Sequence, residues 1–226
     1  MSPKNSAPVV RVISACTGAK TLRCDAPLSF EEVQMIRAGS PPVRTRDLPT
    51  ARARDLYAGR QHTELMRGME KMNPAIRTEL YILSAAYGLV GGDQLLYPYE
   101  ATFSGKSPRV IDAMSRELDL KNALSTALST AADCTLVLLG SGYLRAARLW
   151  ELSGDFSRTI VLGAPSAANL APRGSLYIPL ALPEARKFRS TLIALKGVLG
   201  GRFLERCDLP VVIPSTPSEF LRMVAR

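Results

Sequence analysis

Residues 80–103 read LYILSAAYGLVGGDQLLYPYEATF. The apolar run at 81–83 stops at the small residues 84–86, which is typical of a buried strand leaving the edge of a sheet. The loop that follows contains Tyr87, Gly88, Tyr97 and Tyr99. Glycine lets another molecule approach the backbone closely, and tyrosine offers a flat ring and a hydroxyl. We therefore predict a strand that ends in a ligand-binding loop; a surface loop whose tyrosines pack onto the core is the alternative.

Three other short apolar segments have the composition of strands. They are PVVRVISA at 8–15, CTLVLL at 134–139 and TIVL at 159–162. Each ends in small or polar residues, and helical patterns lie between them. Strands that alternate with helices predict a three-layer α/β fold, with a central, mostly parallel, four-stranded sheet flanked by helices. We expect one domain over residues 1–226, carrying a basic insertion at about 22–54.

Apolar spacing places the helices between these strands. It predicts a helix over 51–72 with a bend at Gly59, and further helices over 107–131 and 183–199. A short extended piece at 211–213 and a closing helix over 218–226 follow. The insertion contains several arginines, which favour either contact with a ligand or a solvated basic loop.

The carboxyl ends of parallel strands lie at one edge of a sheet, where ligands of such sheets bind. The first strand would deliver Ser14, Cys16, Thr17 and Lys20 to this edge. Hydroxyls, backbone N–H groups and an ammonium suit an anion or the edge of a base. Cys16 has no histidine near it in sequence, so a small buried residue is the more typical reading than a nucleophile.

The predicted strand at 134–139 runs into a glycine–serine turn and an arginine-bearing helix. The residues concerned are Gly140, Ser141, Gly142, Arg145 and Arg148. Backbone amides and a guanidinium attract phosphate, so this turn is a candidate phosphate contact. Tight packing of the helix on the strand explains the glycines equally well.

The charge balance favours an acidic partner. The formal net charge is +9, from 29 Lys and Arg against 20 Asp and Glu. An arginine-rich basic surface suits phosphate, which indicates DNA or another nucleic acid, although basic composition also arises as a lineage bias. No apolar run is long enough for a membrane span, and residues 1–8 lack the apolar core of a signal peptide. We expect a cytoplasmic protein that does not associate with membranes.

Cysteine and histidine usage limits the chemistry. The four cysteines, Cys16, Cys24, Cys134 and Cys207, form no Cys-x-x-Cys pair. This argues against a zinc site, while an iron–sulfur cluster held by all four is an alternative. The one histidine, His62, lies in a predicted helix and is as typical of a surface position as of a site. We expect no metal and no cofactor, and catalysis by carboxylates, tyrosines, serines or lysine.

Two separated segments together resemble a known family. SACTGAK at 14–20, LSAAYGL at 83–89 and YPYE at 97–100, with Asp55-Leu56-Tyr57 between them, are similar to the motifs of the YaaA-like family. Members are described as DNA-binding peroxide-stress proteins. The family is distantly similar to uracil-DNA-glycosylase-like folds and to base-handling domains of archaeosine-forming enzymes. The basic insertion departs from the family pattern and implies an altered substrate.

The resemblance implies a DNA glycosylase or a related base-processing hydrolase. Its substrate would be DNA, in single-stranded form or with a modified base, and antiviral defence is the expected setting. Cleaving an N-glycosidic bond requires a carboxylate near the sugar and donors near the base. We expect catalysis by Glu100, with Asp93 or Asp55 as substitutes; Asp55 also fits a helix-capping role. The alternatives are a DNA-binding stress protein without turnover and a nucleotide-binding enzyme acting on small molecules.

The other site residues take their roles from the same chemistry. The predicted contacts to the base and sugar are Ser14, Cys16, Thr17, Lys20, Tyr57, Ser84, Tyr87, Gly88, Tyr97 and Tyr99. The predicted phosphate contacts are those of the glycine–serine turn. All of this requires that the Lys20 turn and the loop ending in Glu100 converge on one pocket.

Overall fold

The computed structural model describes residues 7–225 of the 226-residue chain. The strands in chain order are β1 (Val9–Ala15), β2 (Ala51–Arg52), β3 (Arg77–Ser84), β4 (Gly88–Gly91), β5 (Leu95–Leu96), β6 (Cys134–Leu138), β7 (Thr159–Gly163) and β8 (Leu176–Pro179). The α-helices are α1 (Phe30–Arg37), α2 (Ala53–Leu56), α3 (Arg60–Glu70), α4 (Pro108–Glu117), α5 (Leu120–Ser129), α6 (Ser141–Ala147), α7 (Leu182–Lys187), α8 (Leu192–Glu205) and α9 (Pro217–Met223). Short 3₁₀ turns lie at Val43–Asp47, Leu149–Glu151 and Pro165–Leu170.

The strands form a six-stranded sheet in the order β4-β3-β1-β6-β7-β8. All neighbours pair in parallel except β3 and β4, which are antiparallel. The predicted α/β class and the mainly parallel sheet are confirmed. The predicted strand number is wrong, because β4 and β8 add one strand at each edge. Both are short; β4 begins and ends in glycine and β8 ends in proline, so neither has the composition of a typical strand.

The central strands are buried on both faces. Every residue of β1, β6 and β7 is buried, as expected for parallel strands covered by helices on both sides. Arg11 of β1 is the one charged residue in these three strands, and it too is buried, with 1% of its surface exposed. Its guanidinium donates to the Glu79 carboxylate and to the Thr130 carbonyl and hydroxyl oxygens. A buried charge is tolerated when it is paired and hydrogen-bonded in this way.

Three predicted helices are each divided in two. The segment 107–131 forms α4 and α5, separated at Asp119, which has a left-handed φ of 50°. The segment 183–199 forms α7 and α8, with Arg189 at φ 50° between them. Gly59 is the N-cap of α3, and α2 is a separate short helix before it. The 211–213 segment pairs with no strand, and the closing helix begins at Pro217; residue 226 lies outside the described part of the chain.

The basic insertion is held by its own ion pairs. Ser29 and Glu32 form a capping box at the start of α1. Arg44 donates to Glu32 with its Nε at 2.6 Å, and to the Ala26 carbonyl at 2.7 Å. Arg54 donates to Asp93 across the short β2–β5 ladder at 3.0 Å. These arginines therefore stabilise the insertion, which packs beside the edge of the sheet formed by β3 and β4.

Helices α3 and α8 approach closely through glycines. A Cβ atom on Gly197 would overlap the carbonyl oxygen of Gln61, and one on Gly68 would overlap the carbonyl of Gly201. Only glycine permits this backbone contact. The N-terminal turns of both helices are consequently fixed next to the same edge of the sheet.

The strand order reverses between β1 and β6. The chain proceeds from β1 to β3 on one side, and later strands are added on the other side, starting with β6. In open α/β sheets, such a reversal leaves a crevice outside the carboxyl ends of the two strands, and this is the usual place of ligand binding. No helix within residues 7–225 is long and apolar enough to cross a membrane.

Candidate functional site

A chain of buried hydroxyls joins β3 to the loop after β5. The hydroxyl of Tyr99 lies 2.8 Å from that of Tyr57, and Ser84 Oγ donates to Tyr99 at 2.7 Å. Ser84 Oγ in turn accepts from the backbone N–H groups of Ala86 and Tyr87, at 3.2 and 3.0 Å. Burial raises the pKa of both Tyr57 and Tyr99, so both phenols are protonated and uncharged. This network fixes the turn that leaves β3.

Lys20 lies on the outer face of this network. Its backbone pairs with that of Tyr57, and its ammonium lies 4.5 Å from the centre of the Tyr99 ring. Burial lowers the pKa of Lys20, while Cys16 and Glu100 act in the opposite direction. Glu100 follows Tyr99 directly, and its N–H donates to the Leu28 carbonyl at 2.9 Å. The Lys20 turn and the tyrosine loop therefore meet, although almost eighty positions separate Lys20 from Tyr99.

A second network lies at the reversal point of the sheet. Cys16 Sγ is 3.1 Å from the hydroxyl of Tyr143, which is 3.5 Å from Thr102 Oγ1. The Tyr143 ring packs edge-on against Phe103, with centroids 5.1 Å apart. Burial raises the pKa of Tyr143. Sequence reasoning missed Tyr143 as a site residue; the signal for it is its position three residues after Gly140, the glycine that closely follows β6.

A cleft of about 360 Å³ opens between the carboxyl ends of β1 and β6. Its walls include Cys16, Arg60, Gln61, Gly140, Tyr143 and Lys196. A smaller hollow of about 200 Å³ adjoins it and shares Gly140 and Lys196. No acidic side chain of the described residues lines either cavity. The cleft therefore occupies the position expected for a ligand in this topology, and its wall is positively charged.

Arg60 and Lys196, the two cations of the cavity walls formed by the described residues, are free to meet a ligand. Within the part of the chain that the structure describes, Arg60 and Lys196 make no side-chain hydrogen bond and no ion pair. Burial lowers the pKa of Lys196. The amide nitrogen of Gln61, by contrast, is engaged, since Nε2 donates to the Leu138 carbonyl at 2.8 Å and to Ser14 Oγ at 3.4 Å.

The sequence profile of a family of unknown function (DUF6884) matches residues 42–157, just over half of the chain. The chain belongs to this family. No curated protein matches it. The region matched by the DUF6884 profile supplies Arg60, Glu100 and Tyr143, whereas Lys20 and Lys196 lie outside it.

The structure brings only one of the three candidate carboxylates to Lys20. Asp93 is exposed and lies 3.6 Å from Arg52 and 3.0 Å from Arg54. Asp55 is also exposed; it lies in the short helix α2, and its charge acts on His62. Glu100 is exposed as well, but it is the carboxylate whose charge acts on Lys20. Among Asp93, Asp55 and Glu100, the geometry favours Glu100.

The arginines of the predicted phosphate contact do not face the cleft as free groups. Arg145 binds the Asp112 carboxylate through Nε at 3.0 Å and Nη2 at 2.7 Å. Arg148 binds Glu151 with its Nε at 2.9 Å. The turn itself is placed as expected, because Gly140 lines both cavities and Ser141 lines the smaller one. Gly142 instead approaches the Phe103 carbonyl, which is a packing role.

Of the predicted contacts to a base, Lys20 lies over the Tyr99 ring and lines neither cavity. The other nine divide into three groups. Ser14, Tyr57, Ser84 and Tyr99 are buried and bonded inside the protein, so they position the loop. Cys16 and Thr17 line the cleft, and Thr17 Oγ1 accepts from the Gly59 N–H at 3.1 Å. Tyr87, Gly88 and Tyr97 brace the loop: the Tyr97 N–H donates to the Tyr87 hydroxyl, and Gly88 adopts a left-handed φ of 80°.

His62 and the cysteines have structural positions. His62 is buried, and its Nε2 lies 2.7 Å from the Arg54 carbonyl oxygen. A carbonyl only accepts, so Nε2 carries the proton, and burial lowers the pKa of His62. The four cysteines are free thiols, and no three His, Cys, Asp or Glu residues among positions 7–225 are grouped as metal ligands. Strands β1 and β6 are parallel neighbours; Cys16 follows the carboxyl end of β1, whereas Cys134 is the first residue of β6. These two cysteines therefore lie at opposite ends of the strands, and the four cysteines do not form one ligand set for a cluster.

Proposed function

We propose that the cleft binds a nucleotide unit of DNA and that the protein hydrolyses the N-glycosidic bond of its base. The proposal is supported by the position of Lys20 over the Tyr99 ring, which Glu100 follows directly in the chain. Lys20 and Glu100 do not line the basic cleft, but residues 16–19, which lead to Lys20, do. A relationship to YaaA-like and uracil-DNA-glycosylase-like proteins is part of the same proposal, as is a modified base encountered in foreign DNA.

Cleavage of the N-glycosidic bond develops opposite charges on the sugar and on the departing base. Water forms a new bond to the sugar carbon C1′ while the bond from C1′ to the base nitrogen breaks. The base leaves with the bonding electrons and takes up a proton, and the water loses one. Positive charge develops on the sugar and negative charge on the base. Glu100 suits the first, as stabiliser of the cation or as orienter of the water, and Lys20 suits the second.

The size and charge of the cleft support a nucleotide ligand. Small-molecule sites typically enclose about 300 to 1,000 Å³, and the cleft and adjoining hollow measure about 360 and 200 Å³. The net charge of +9 favours association with a polyanion. Base-processing enzymes act on single strands or extrude the base from the duplex, and both routes bring a base to an open cleft.

Base release from DNA tests the proposal. The purified protein is incubated with single- and double-stranded DNA carrying ordinary or modified bases, and abasic sites are revealed by alkaline cleavage. We expect release from at least one substrate, and Glu100→Gln to slow it by about 100-fold or more, as loss of a catalytic carboxylate does. Asp93→Asn is the matched control, because Asp93 is held by Arg52 and Arg54, and it should retain the wild-type rate. Full activity of Glu100→Gln would show that the carboxylate is wrongly assigned.

DNA binding without turnover is the second candidate. It is favoured by the lack of acidic side chains in the two cavities formed by the described residues. In that case no substrate yields abasic sites, and Glu100→Gln binds DNA at least as tightly as the wild type because a negative charge is removed. Affinity would also fall steeply as salt is raised, since phosphate contacts release counterions.

A further inference from the structure

Lys196 is the one lysine of α8, a helix most of whose residues are buried. It lies in the second turn of α8, and it lines both the cleft and the adjoining hollow. Burial alone accounts for its lowered pKa. No carboxylate among residues 7–225 forms an ion pair with it. A partly buried ammonium without a partner destabilises the protein, and a bound anion would offset that cost.

Arg60 faces the same cleft from the opposite helix. It is the first residue of α3, it is exposed, and its guanidinium is also without an ion pair in the described chain. The α3 and α8 backbones are locked together at Gly197 and Gly201. The two cations are therefore held on rigid helices that cannot separate, which is the arrangement expected of a preformed anion site.

A purely structural role fits Lys196 less well than ligand binding. A lysine can lay its carbon stem along apolar surface and extend its ammonium into water. Lys196, however, contributes to the wall of both cavities, so an anion bound there would lie close to this side chain. Leu192 and Ile193, one turn earlier, are 43% and 74% exposed and flank the opening with apolar surface. An ammonium between an apolar rim and a polar turn suits a ligand with one apolar end and one anionic end.

We propose that Lys196 and Arg60 form a phosphate-binding subsite of the cleft. The bound group is the phosphate of a nucleotide, with the base directed toward the side formed by Cys16 and Thr17. The assignment of a nucleotide rests on the proposed function, whereas the anion subsite rests on the two cations and the cavity. The same chemistry serves a phosphate in a DNA strand and one in a free nucleotide.

Calorimetric titration separates the phosphate contribution from that of the nucleoside. The probes are thymidine, thymidine 5′-monophosphate and a short single-stranded oligothymidylate, each titrated into wild type and variants. The wild type should bind the monophosphate about 10-fold or more tightly than thymidine, as a charge-assisted contact provides. Lys196→Met should abolish this preference and leave thymidine affinity unchanged, and Lys196→Arg should retain part of it. Lys187→Met, at an exposed lysine of α7, is the matched control and should behave as wild type.

The outcomes distinguish the subsite from the glycosylase activity. Loss of the preference in Lys196→Met supports the subsite even if no DNA releases a base, in which case only the proposed function fails. A preference that persists in Lys196→Met, or a wild type that shows none, overturns the subsite whatever the base-release assay gives. Arg60→Met provides a second, exposed variant that does not disturb packing, and it should also weaken the preference. The oligothymidylate shows whether the phosphate source is a DNA strand, because then it binds more tightly than the monophosphate.

Discussion

The ammonium of Lys20 lies 4.5 Å from the centre of the Tyr99 ring. The hydroxyl of Tyr99 accepts a hydrogen bond from Ser84 Oγ and is hydrogen-bonded to the hydroxyl of Tyr57, and its ring makes an edge contact with Tyr87 at 5.2 Å between centroids. A cation over a ring face is attracted by the ring's electron density, by about 1 kcal/mol when partly exposed. The ring of Tyr99 is therefore held in one position, where it fixes the position of the Lys20 ammonium. Glu100 is the next residue of the chain.

Replacing Tyr99 by Phe should destabilise the fold and preserve the shape of the site. The buried hydroxyls of Tyr57 and Ser84 would each lose a partner. We expect the free energy of unfolding in urea to fall by about 1 to 3 kcal/mol, the usual cost of leaving buried polar groups unpaired. Tyr81→Phe, on the half-buried face of β3, is the control and should change stability by less than about 0.5 kcal/mol. Equal effects of the two substitutions would mean that the hydroxyl chain contributes nothing specific.

Removing the charge of Lys20 should impair function without weakening the fold. Burial disfavours the ammonium, as its lowered pKa indicates. Lys20→Met should therefore unfold at the same or a higher urea concentration than the wild type, while base release falls by about 10-fold or more, the effect of losing one charge-assisted contact. Lys106→Met, in an exposed loop, controls for loss of general positive charge. If Lys20→Met released bases at the wild-type rate and bound substrate with wild-type affinity, Lys20 would have no role in the site.

The sequence identifies the strand ends but not their partners. Cys16, Ser84 and Gly140 lie at or just after the ends of strand-like segments, so their common edge can be predicted from the alternation of strands and helices. The sequence does not reveal that Arg145 is withdrawn from the predicted phosphate contact, because its partner Asp112 lies on α4, thirty-three positions earlier. From its spacing relative to Arg186, Lys187 and Arg189, Lys196 is predicted to lie on the basic face of a helix. Its burial follows from the close α3–α8 contact, which no local pattern reveals.

The Glu32–Arg44 ion pair should make stability depend on acidic pH. Hydrogen bonds from Arg44 and from the Ser29 N–H lower the pKa of Glu32 from 4.5 to about 2. A depressed folded-state pKa stabilises the protein above the unfolded-state pKa, and this contribution is lost as pH falls toward the folded value. The difference in unfolding free energy between wild type and Glu32→Gln should therefore shrink steadily from about pH 5 to about pH 2. Glu117→Gln, at an exposed position of α4, controls for the loss of a carboxylate. A difference that stays constant over this range would contradict the role of the pair.

Gly197→Ala should change the cleft by displacing the two helices, α3 and α8, that carry part of its wall. A Cβ atom at this position would overlap the Gln61 carbonyl oxygen, so α3 and α8 must move apart. We expect a loss of about 1 to 3 kcal/mol in unfolding free energy, as for overpacking in a core. Because Gln61, Arg60 and Lys196 move with these helices, the preference for a phosphate-bearing ligand should fall as well. Gly91→Ala in β4 is the control, since no atom lies within 4 Å of the added Cβ. Wild-type stability and phosphate preference in Gly197→Ala would show that the helix contact does not position the subsite.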